Sequence, residues 1–368
     1  MLRLPLPSLI SLNFVLDSED NLRGCQDFLN SFLVLAPNIR KLGINLQRPN
    51  VAFNDFVSSY ICRWHNLEDV LCPDTSLNVD TLVHLSHMPA LTRLDITANT
   101  TFAPSDSPLI FSNLHYLKLQ SPSFPSVSSL LLRTRLPTIT DFTVMIFNGF
   151  SRQGFSSFLA SVQTSDAGRT IENLTFYTSE PMEDSEDALF RIGLEDLRPC
   201  MAFTNLRCID LDVWRYDVGL TEIELLELAS AWPRLEELKI SKKWGWHTRS
   251  GITPNGLLQL LQACRSLSQI ALVIDTRSYT EFSQSPVSLG LTLPRTFSID
   301  VLDSIIEVES VPAIAAFFTS IALCSKFSLY YWQTEEMMIM DPLDCILYED
   351  RWDDVYKLVK AVTIGQHS

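Results

Sequence analysis

PALTRLDI, residues 89–96, is the stretch that decides the fold. Counted from Leu91, its apolar residues stand at positions 1, 4 and 6 and follow a proline-bearing entry. Leu94 and Ile96 alternate with charged residues, which is the periodicity of a strand with one buried face. The same arrangement of apolar residues occurs ten times in the chain. The sequence is therefore built from repeats, each of which contains one short strand.

The ten triplets begin 23 to 35 residues apart, which is the period of a repeat protein. They are Leu9/Leu12/Phe14, Ile39/Leu42/Ile44, Leu67/Val70/Cys72, Leu91/Leu94/Ile96, Leu114/Leu117/Leu119, Ile139/Phe142/Val144, Ile171/Leu174/Phe176, Leu206/Ile209/Leu211, Leu235/Leu238/Ile240 and Leu267/Ile270/Leu272.

The residues between the triplets have helical periodicity. In TEIELLELASAWP, residues 221–233, Thr221 is expected to cap a helix and Glu224 to complete a capping box. Apolar residues then follow at helical spacing, namely Leu225, Leu228, Ala229 and Trp232. The stretches NLRGCQDFLNSFLVL, GFSSFLASV and GITPNGLLQLLQAC have the same character.

A unit of strand, turn and helix at this period predicts an α/β leucine-rich-repeat solenoid. A right-handed crossover lays each strand parallel to the previous one, because the apolar face of one unit cannot be covered alone. The curved parallel sheet is expected on the concave side and the helices on the convex side. The asparagine that usually follows the first leucine by eight residues survives only as Asn99, so we expect irregular turns.

The repeats become less regular after Asp275, which predicts two regions. Residues 1–275 form the solenoid of about ten repeats, and residues 276–368 form degenerate repeats with a helical cap. Strands are expected at 297–301 and 327–331 with a helix at 311–324 between them. The final stretch, EDRWDDVYKLVKAV, places Trp352, Val355, Tyr356, Val359 and Val362 on one helical face.

Charge and cysteine usage restrict the partners and the compartment. The chain has a net charge of −15, which opposes binding to nucleic acid or to anionic lipid and favours a protein ligand. Its eight cysteines form no CxxC pair and lie mostly among apolar residues, so free thiols in a reducing compartment are expected. The opening residues do not resemble a signal peptide, and we expect a cytoplasmic or nuclear location.

Irregular repeats with the PxLxxLxL entry, strand-and-helix units and cysteines scattered through the core resemble fungal F-box/leucine-rich-repeat proteins. The resemblance covers residues 5–275 and implies that the repeats select the substrate of a ubiquitin ligase. In that family an F-box helix precedes the repeats and binds a Skp-type adaptor. No LPxE-type helix precedes the first triplet, so this adaptor is expected only if an F-box is supplied upstream. The apolar strand LPSLISLNFVL then predicts N-terminal truncation or a partner on its edge.

The stretch KISKKWGWHTRSG, residues 239–251, holds the candidate binding residues. Repeat register places it beside the turns of the adjoining repeats and predicts a basic, aromatic patch that could accept an acidic or phosphorylated segment of a protein. In the alternative interpretation, the tryptophans cover the repeat core and the lysines are solvated around them. The patch residues are Trp214, Arg215, Tyr216, Lys242, Lys243, Trp244, Trp246, His247, Arg277 and Tyr279.

Signatures of catalysis and of cofactor binding are missing from the sequence. It contains no GxSxG, no phosphate-binding glycine loop and no HExxH, so we expect no enzymatic activity and no cofactor. His84 and His87 could share a helical face but have no third metal ligand nearby, which favours a plain histidine pair. Two functions remain open, a ubiquitin-ligase substrate receptor and a stand-alone repeat scaffold or inhibitor without a ubiquitin role.

Overall fold

The computed structural model divides the chain into two compact units. The first comprises residues 1–174 and 178–184, and the second comprises residues 175–177 and 185–368. The structure describes residues 9–16, 22–46, 51–99, 107–147, 152–179, 191–213, 217–246, 248–282, 291, 293–332 and 342–364.

The first unit alternates short strands with helices. Its strands are β1 (Ser11–Leu16), β2 (Lys41–Leu46), β3 (Asp69–Ser76), β4 (Arg93–Thr97), β5 (Leu109–Ile110), β6 (Tyr116–Ser121), β7 (Thr134–Arg135), β8 (Asp141–Ile146) and β9 (Asn173–Thr178), the last of which contains the point of division. Its helices are α1 (Leu22–Leu35), α2 (Val51–Ile61), α3 (Val79–Ser86), α4 (Phe124–Leu132) and α5 (Arg152–Thr164).

The second unit has the same alternation. Its strands are β10 (Arg191–Ile192), β11 (Cys208–Asp212), β12 (Asp217–Val218), β13 (Glu237–Ile240), β14 (Gln269–Ala271), β15 (Thr296–Asp300) and β16 (Lys326–Tyr330). Its helices are α6 (Leu194–Leu197), α7 (Glu222–Ala231), α8 (Pro254–Ala263), α9 (Val311–Ala322) and α10 (Pro342–Ile364).

The main strands of each unit form a parallel ladder in the predicted order. The strand order is β1-β2-β3-β4-β6-β8-β9 within the first unit and β11-β13-β14-β15-β16 within the second. Every pair from β1 to β8 and from β11 to β16 is parallel. Each strand reaches its neighbour through a crossover, and several pairs of consecutive helices contact one another, as α4 and α5 do. Each unit is thus an α/β leucine-rich-repeat solenoid.

The register of the strands confirms the triplets. In the first unit Leu94 pairs with Val70 on one side and with Leu117 on the other, and in the second unit Leu238 pairs with Ile209 and Ile270. The position-4 residues from the second copy onward are at most 4% exposed: Leu42, Val70, Leu94, Leu117, Phe142, Leu174, Ile209, Leu238 and Ile270. Each buried side chain of this size contributes about 1.5–3 kcal/mol of hydrophobic free energy to folding.

The helices also follow the sequence pattern. Thr221 caps α7, since its hydroxyl accepts a hydrogen bond from the backbone N–H of Glu224 while the Glu224 carboxylate accepts one from the N–H of Thr221 at 2.8 Å. Helix α9 has Pro312 in its first turn and confirms the helix expected at 311–324. Strands β15 and β16 confirm the two expected beyond residue 275. The boundary at 275 itself stays a prediction, because it marks a loss of repeat regularity.

The last helix differs from its prediction in extent and in its buried face. Helix α10 begins at Pro342, seven residues before the stretch that suggested it. Trp352, Val355 and Val359 are buried, and the Trp352 indole donates to the Ser304 carbonyl at 2.8 Å. Tyr356 and Val362 are exposed by 37% and 45%, so only the other three residues of the predicted helical face are buried. Helix α10 packs against α9 and also donates hydrogen bonds to the carbonyls of Ser304 and Ile306.

Hydroxyl groups satisfy backbone atoms in several turns that lack the family asparagine. Asn99 is exposed. The buried hydroxyls of Ser121 and Thr276 instead donate to carbonyls of neighbouring repeats, Ala98 and Ile305, each at 2.8 Å. Ser304 accepts from the backbone N–H of Ile274 at 2.9 Å. Because these groups satisfy buried backbone atoms, the turns remain stable without the family asparagine.

Replacement of Phe142 by alanine tests the alternation on β8. Phe142 is 1% exposed, whereas Thr143, the next residue, is half-buried on the opposite face. Phe142→Ala should lower the free energy of unfolding in urea by about 3–5 kcal/mol, because a large cavity replaces the ring. Thr143→Ala is the matched control and should change it by less than about 1 kcal/mol. Equal losses in the two variants would show that β8 does not alternate.

Candidate functional site

The predicted patch is only partly within the described residues. Trp214, Arg215, Tyr216 and His247 lie outside them. The other six lie in the second unit, on the loop that follows β13 and in the segment that follows β14: Lys242, Lys243, Trp244, Trp246, Arg277 and Tyr279. The strand offsets match the repeat register, since Leu211 pairs with Ile240 and Lys239 pairs with Ala271.

The loop after β13 has a left-handed backbone at two positions. Ser241 has φ 51° and Gly245 has φ 72°. The N–H of Gly245 donates to the Ser241 carbonyl at 2.8 Å, which closes one turn. A β-carbon at Gly245 would lie 2.7 Å from the Asp303 carboxyl and 2.8 Å from the Trp332 ring. Glycine is therefore required by both conformation and space.

Both tryptophans of this loop lie inside the fold. Trp246 is fully buried, its indole N–H donates to the Ile240 carbonyl at 2.8 Å, and its backbone N–H donates to the Asp303 carboxylate at 3.0 Å. Trp244 is 8% exposed. Both side chains therefore lie as in the interpretation in which the tryptophans cover the repeat core. They offer little accessible surface to a partner.

The two lysines of the loop are exposed. The Lys242 ammonium lies 3.9 Å from the Asp300 carboxylate, and 54% of its side chain is accessible. The Lys243 ammonium lies 4.1 Å from the centroid of the Trp244 ring, within the range of a cation–π contact. The buried indole thus positions an exposed cation.

Carboxylates from the preceding strand stand beside these lysines. Asp212 accepts a hydrogen bond from the Lys243 N–H at 3.0 Å, and burial raises its pKa to about 6. Burial also raises the pKa of Asp210, while the positive charge of Lys239 opposes that shift. The surface therefore carries mixed charge rather than the purely basic charge expected. The sequence could have revealed these carboxylates, because Asp210 and Asp212 form a D-x-D pattern on β11, one repeat before the loop.

Arg277 and Asp275 form a second charged element at the ends of the strands. The Arg277 guanidinium donates to both Asp275 oxygens, at 2.9 and 2.7 Å, and holds the pKa of Asp275 below its usual range. They line a groove of about 230 Å³ together with Thr248, Arg249, Ser250, Val273, Ile274, Asp303 and Ile305. Arg249 is exposed, and the sequence prediction omitted it.

Tyr279 belongs to an aromatic cluster. Its ring centroid lies 6.2 Å from Phe317 and 6.4 Å from Phe282. Burial raises the pKa of Tyr279 to about 12, so its phenol stays neutral at physiological pH. Tyr279 is half-buried, and its main contacts are with this cluster.

Other kinds of site were sought among the described residues. They contain no group of three or more His, Cys, Asp or Glu side chains placed to hold a metal ion. His84 Nε2 lies 3.1 Å from the Trp64 carbonyl, and His87 Nδ1 lies 2.7 Å from the Val83 carbonyl, so both rings contact backbone. None of the helices in these ranges combines the length and the apolar character needed to cross a membrane.

Comparisons with protein-family models and with curated proteins found no match. Among solved structures, a chain of the yeast Rad7–Elc1 complex is 13% identical with a TM-score of 0.33, covering 73% of this chain and 64% of its own. An internalin (InlF) from Listeria monocytogenes is 11% identical with a TM-score of 0.38, covering 88% of this chain and 86% of its own. TLR13 in complex with ssRNA13 is 11% identical with a TM-score of 0.34, covering 83% and 44%.

The aligned part thus spans less than two thirds of the length of the yeast chain. The fold assignment rests on the parallel strand register described above.

Substitution of Gly245 tests the turn that buries the tryptophans. Gly245→Ala should lower the free energy of unfolding by about 2–3 kcal/mol, because a left-handed alanine is strained and its β-carbon overlaps Asp303 and Trp332. Gly193→Ala is the control, since a β-carbon at Gly193 meets no atom within 4 Å. Urea unfolding measures both, and a Gly245→Ala variant as stable as the control would contradict this turn.

Asp212 should make stability depend on pH. Its folded-state pKa of about 6 exceeds the ordinary value of 3.8, so its contribution to stability is fully present below about pH 4 and is lost as the pH rises to about 6. The Asp212→Asn side chain does not ionise, so stability is no longer lost as the pH rises, and its amide oxygen can still accept the hydrogen bond from the Lys243 N–H. The variant should gain about 1–3 kcal/mol over wild type at pH 7 but not at pH 4.

Urea unfolding at both pH values measures this difference. Asp350→Asn, on the exposed side of α10, is the control for the change in charge. An equal effect of Asp212→Asn at pH 4 and pH 7 would rule out the buried carboxylate as its cause.

Proposed function

We propose that the chain is a protein–protein interaction module that binds its ligand on the outward side chains of the second unit. We call these residues the strand face: Cys208, Asp210, Asp212, Glu237, Lys239, Gln269, Ser298 and Asp300. They alternate with the buried position-4 and position-6 residues, and most of them are charged or polar. This row of polar groups is the observation that carries the proposal.

The strand face is held rigidly before any ligand arrives. Its strands pair in parallel from β11 to β16, so each outward side chain stands at a fixed point of the ladder. The Lys239 ammonium is fixed further by the Glu237 carboxylate at 2.6 Å. A rigid surface loses little conformational entropy on binding, which favours affinity for a protein ligand.

The charges at the edge of the strand face indicate the chemistry of the ligand. Lys242 and Lys243 are exposed and stand at the end of β13, and Arg277 lies beyond the end of β14. An acidic or phosphorylated segment would contact the two lysines, while basic groups of the same ligand would contact Asp210 and Asp212. Such alternating complementarity gives specificity more than affinity. Trp214, Arg215, Tyr216 and His247 remain candidate contacts on the sequence prediction alone.

The finer role that we infer is the substrate-recognition repeat region of an F-box-type ubiquitin-ligase subunit. The support is the resemblance of the PxLxxLxL entries to fungal F-box/leucine-rich-repeat proteins. The alternative is a stand-alone repeat scaffold or inhibitor with no ubiquitin role. Expression from the longest reading frame around Met1, followed by capture with a Skp-type adaptor, separates the two. Stable capture by the adaptor favours the ligase subunit. If the reading frame encodes no F-box and the adaptor does not capture the protein, the scaffold is favoured.

Removal of the loop lysines tests the binding surface. In Lys242→Ala/Lys243→Ala we expect capture of the cognate protein to weaken about tenfold, because two exposed cations near the ligand are lost. The melting temperature should stay within about 2 °C of wild type, because exposed side chains contribute little to stability. Quantitative affinity capture with mass spectrometry identifies and measures the protein.

The matched control is Lys357→Ala/Lys360→Ala, which removes the same charge from the exposed side of α10. The control should capture the protein as wild type does. Undiminished capture by the loop variant, or an equal loss in the control, would exclude this surface.

A further inference from the structure

A groove with no acidic side chain lies at the beginning of the last three strands. It has a volume of about 170 Å³ and is lined by Ser268, Gln269, Thr296, Phe297, Ser298, Lys326 and Ser328. It holds one cation, Lys326, and no carboxylate, although acidic residues outnumber basic residues in the chain by 43 to 28. We refer to it as the hydroxyl groove.

Several polar groups of the hydroxyl groove are available to a ligand. The Ser268 hydroxyl donates to the Glu236 carbonyl at 3.2 Å. The hydroxyls of Thr296, Ser298 and Ser328 and the amide of Gln269 have no hydrogen-bond partner in the described part of the chain, and all four side chains are exposed or half-buried. Polar groups in this state can donate to an incoming anion without breaking an existing bond.

The cations beside these groups are also unpaired. Lys326 pairs in register with Thr296, and Arg295 immediately precedes Thr296. Both are exposed, and neither has an ion pair within the described ranges. Between β11 and β13, by contrast, the Arg207 guanidinium binds the Glu236 carboxylate at 2.7 Å.

One row of the ladder holds a single acidic residue, Glu237, and none from β14 onward. Cys208 pairs with Glu237, Glu237 with Gln269, Gln269 with Ser298, and Ser298 with Ser328. From β14 onward this row therefore holds the amide of Gln269 and the hydroxyls of Ser298 and Ser328. The neighbouring cations, Arg295 and Lys326, have no carboxylate partner among the described residues.

We propose that the hydroxyl groove binds the phosphate of a phosphorylated serine or threonine in the protein ligand. This inference rests on the proposed protein-binding function and adds that the phosphate group of the ligand lies in the hydroxyl groove. A phosphate carries a charge of about −1.5 to −2 and three acceptor oxygens. The hydroxyl groove supplies the Lys326 cation and four free hydrogen-bonding groups, and the exposed Arg295 precedes its Thr296 in the chain. These positive charges and polar groups suit the phosphate oxygens.

The groove lined by Arg249 and Arg277 fits a phosphate less well. Asp275 and Asp303 also line it with carboxylates, and the Arg277 charge is already neutralised by Asp275. A dianion placed there would meet like charges. Nucleic acid and anionic membranes are disfavoured in the hydroxyl groove as well, because a body with a net charge of −15 repels an extended polyanion.

The test is an NMR titration of the full chain with N-acetyl-O-phosphoserine amide. The backbone signals of Gln269, Ser298 and Ser328 should shift on saturation. In Lys326→Ala and in Arg295→Ala the affinity should fall at least fivefold. Lys357→Ala makes the same change in charge on the exposed side of α10 and should leave the affinity unchanged. The melting temperature of each variant verifies that the fold is retained.

Two further probes distinguish the sources of the phosphate. Inorganic phosphate should bind more weakly than the phosphoserine amide, and a single-stranded DNA oligonucleotide should not bind the groove. Equal affinity for inorganic phosphate, tighter binding of DNA, or undiminished binding in Lys326→Ala would each overturn the proposal. Its failure would leave the lysine-dependent capture of the protein unaffected, so the two proposals fail separately.

Discussion

The in-register pairing of parallel strands is the constraint on which the rest of the structure depends. A single repeat cannot cover its own apolar face, and its position-4 residue is buried only when the next repeat supplies a matching one. Leu94 between Val70 and Leu117 shows this arrangement in the first unit, and Leu238 between Ile209 and Ile270 shows it in the second. Because side chains alternate along a strand, the same register fixes which residues face outward. The same strand pairing therefore determines which side chains are buried and which are accessible to a ligand.

Sequence periodicity predicted the elements that depend on local pattern. Triplet spacing located the strands, and Thr221 with Glu224 located the start of α7, because a capping box is encoded within four residues. The orientation of Trp246 was left open, since an aromatic beside lysines suits both a surface and a core. Its burial depends on a left-handed turn at Gly245 and on Asp303, which is far away in the sequence. Tertiary contacts of this kind leave no local periodicity.

The electrostatics of the candidate site show the same limit. The cations of residues 239–251 are visible in the sequence, whereas their neutralising partners come from other repeats. Asp300 lies near Lys242, and Asp212 accepts from the backbone of Lys243. Repeat register could have placed Asp212 there, since the D-x-D of β11 precedes the loop by one repeat. The hydroxyl groove, by contrast, is recognised only when the pairing from Glu237 to Ser328 is followed across four strands.

Disulfide trapping across neighbouring strands tests the ladder most directly. Lys118 of β6 pairs with Thr143 of β8, and both are outward residues. Cysteines at register partners lie within the Cα separation of roughly 4.4–6.8 Å that a disulfide requires. The account predicts that Lys118→Cys/Thr143→Cys crosslinks on mild oxidation, as mapped by mass spectrometry, and that Lys118→Cys/Met145→Cys does not. Equal crosslinking of the two pairs, or crosslinking of the offset pair alone, would contradict the parallel register.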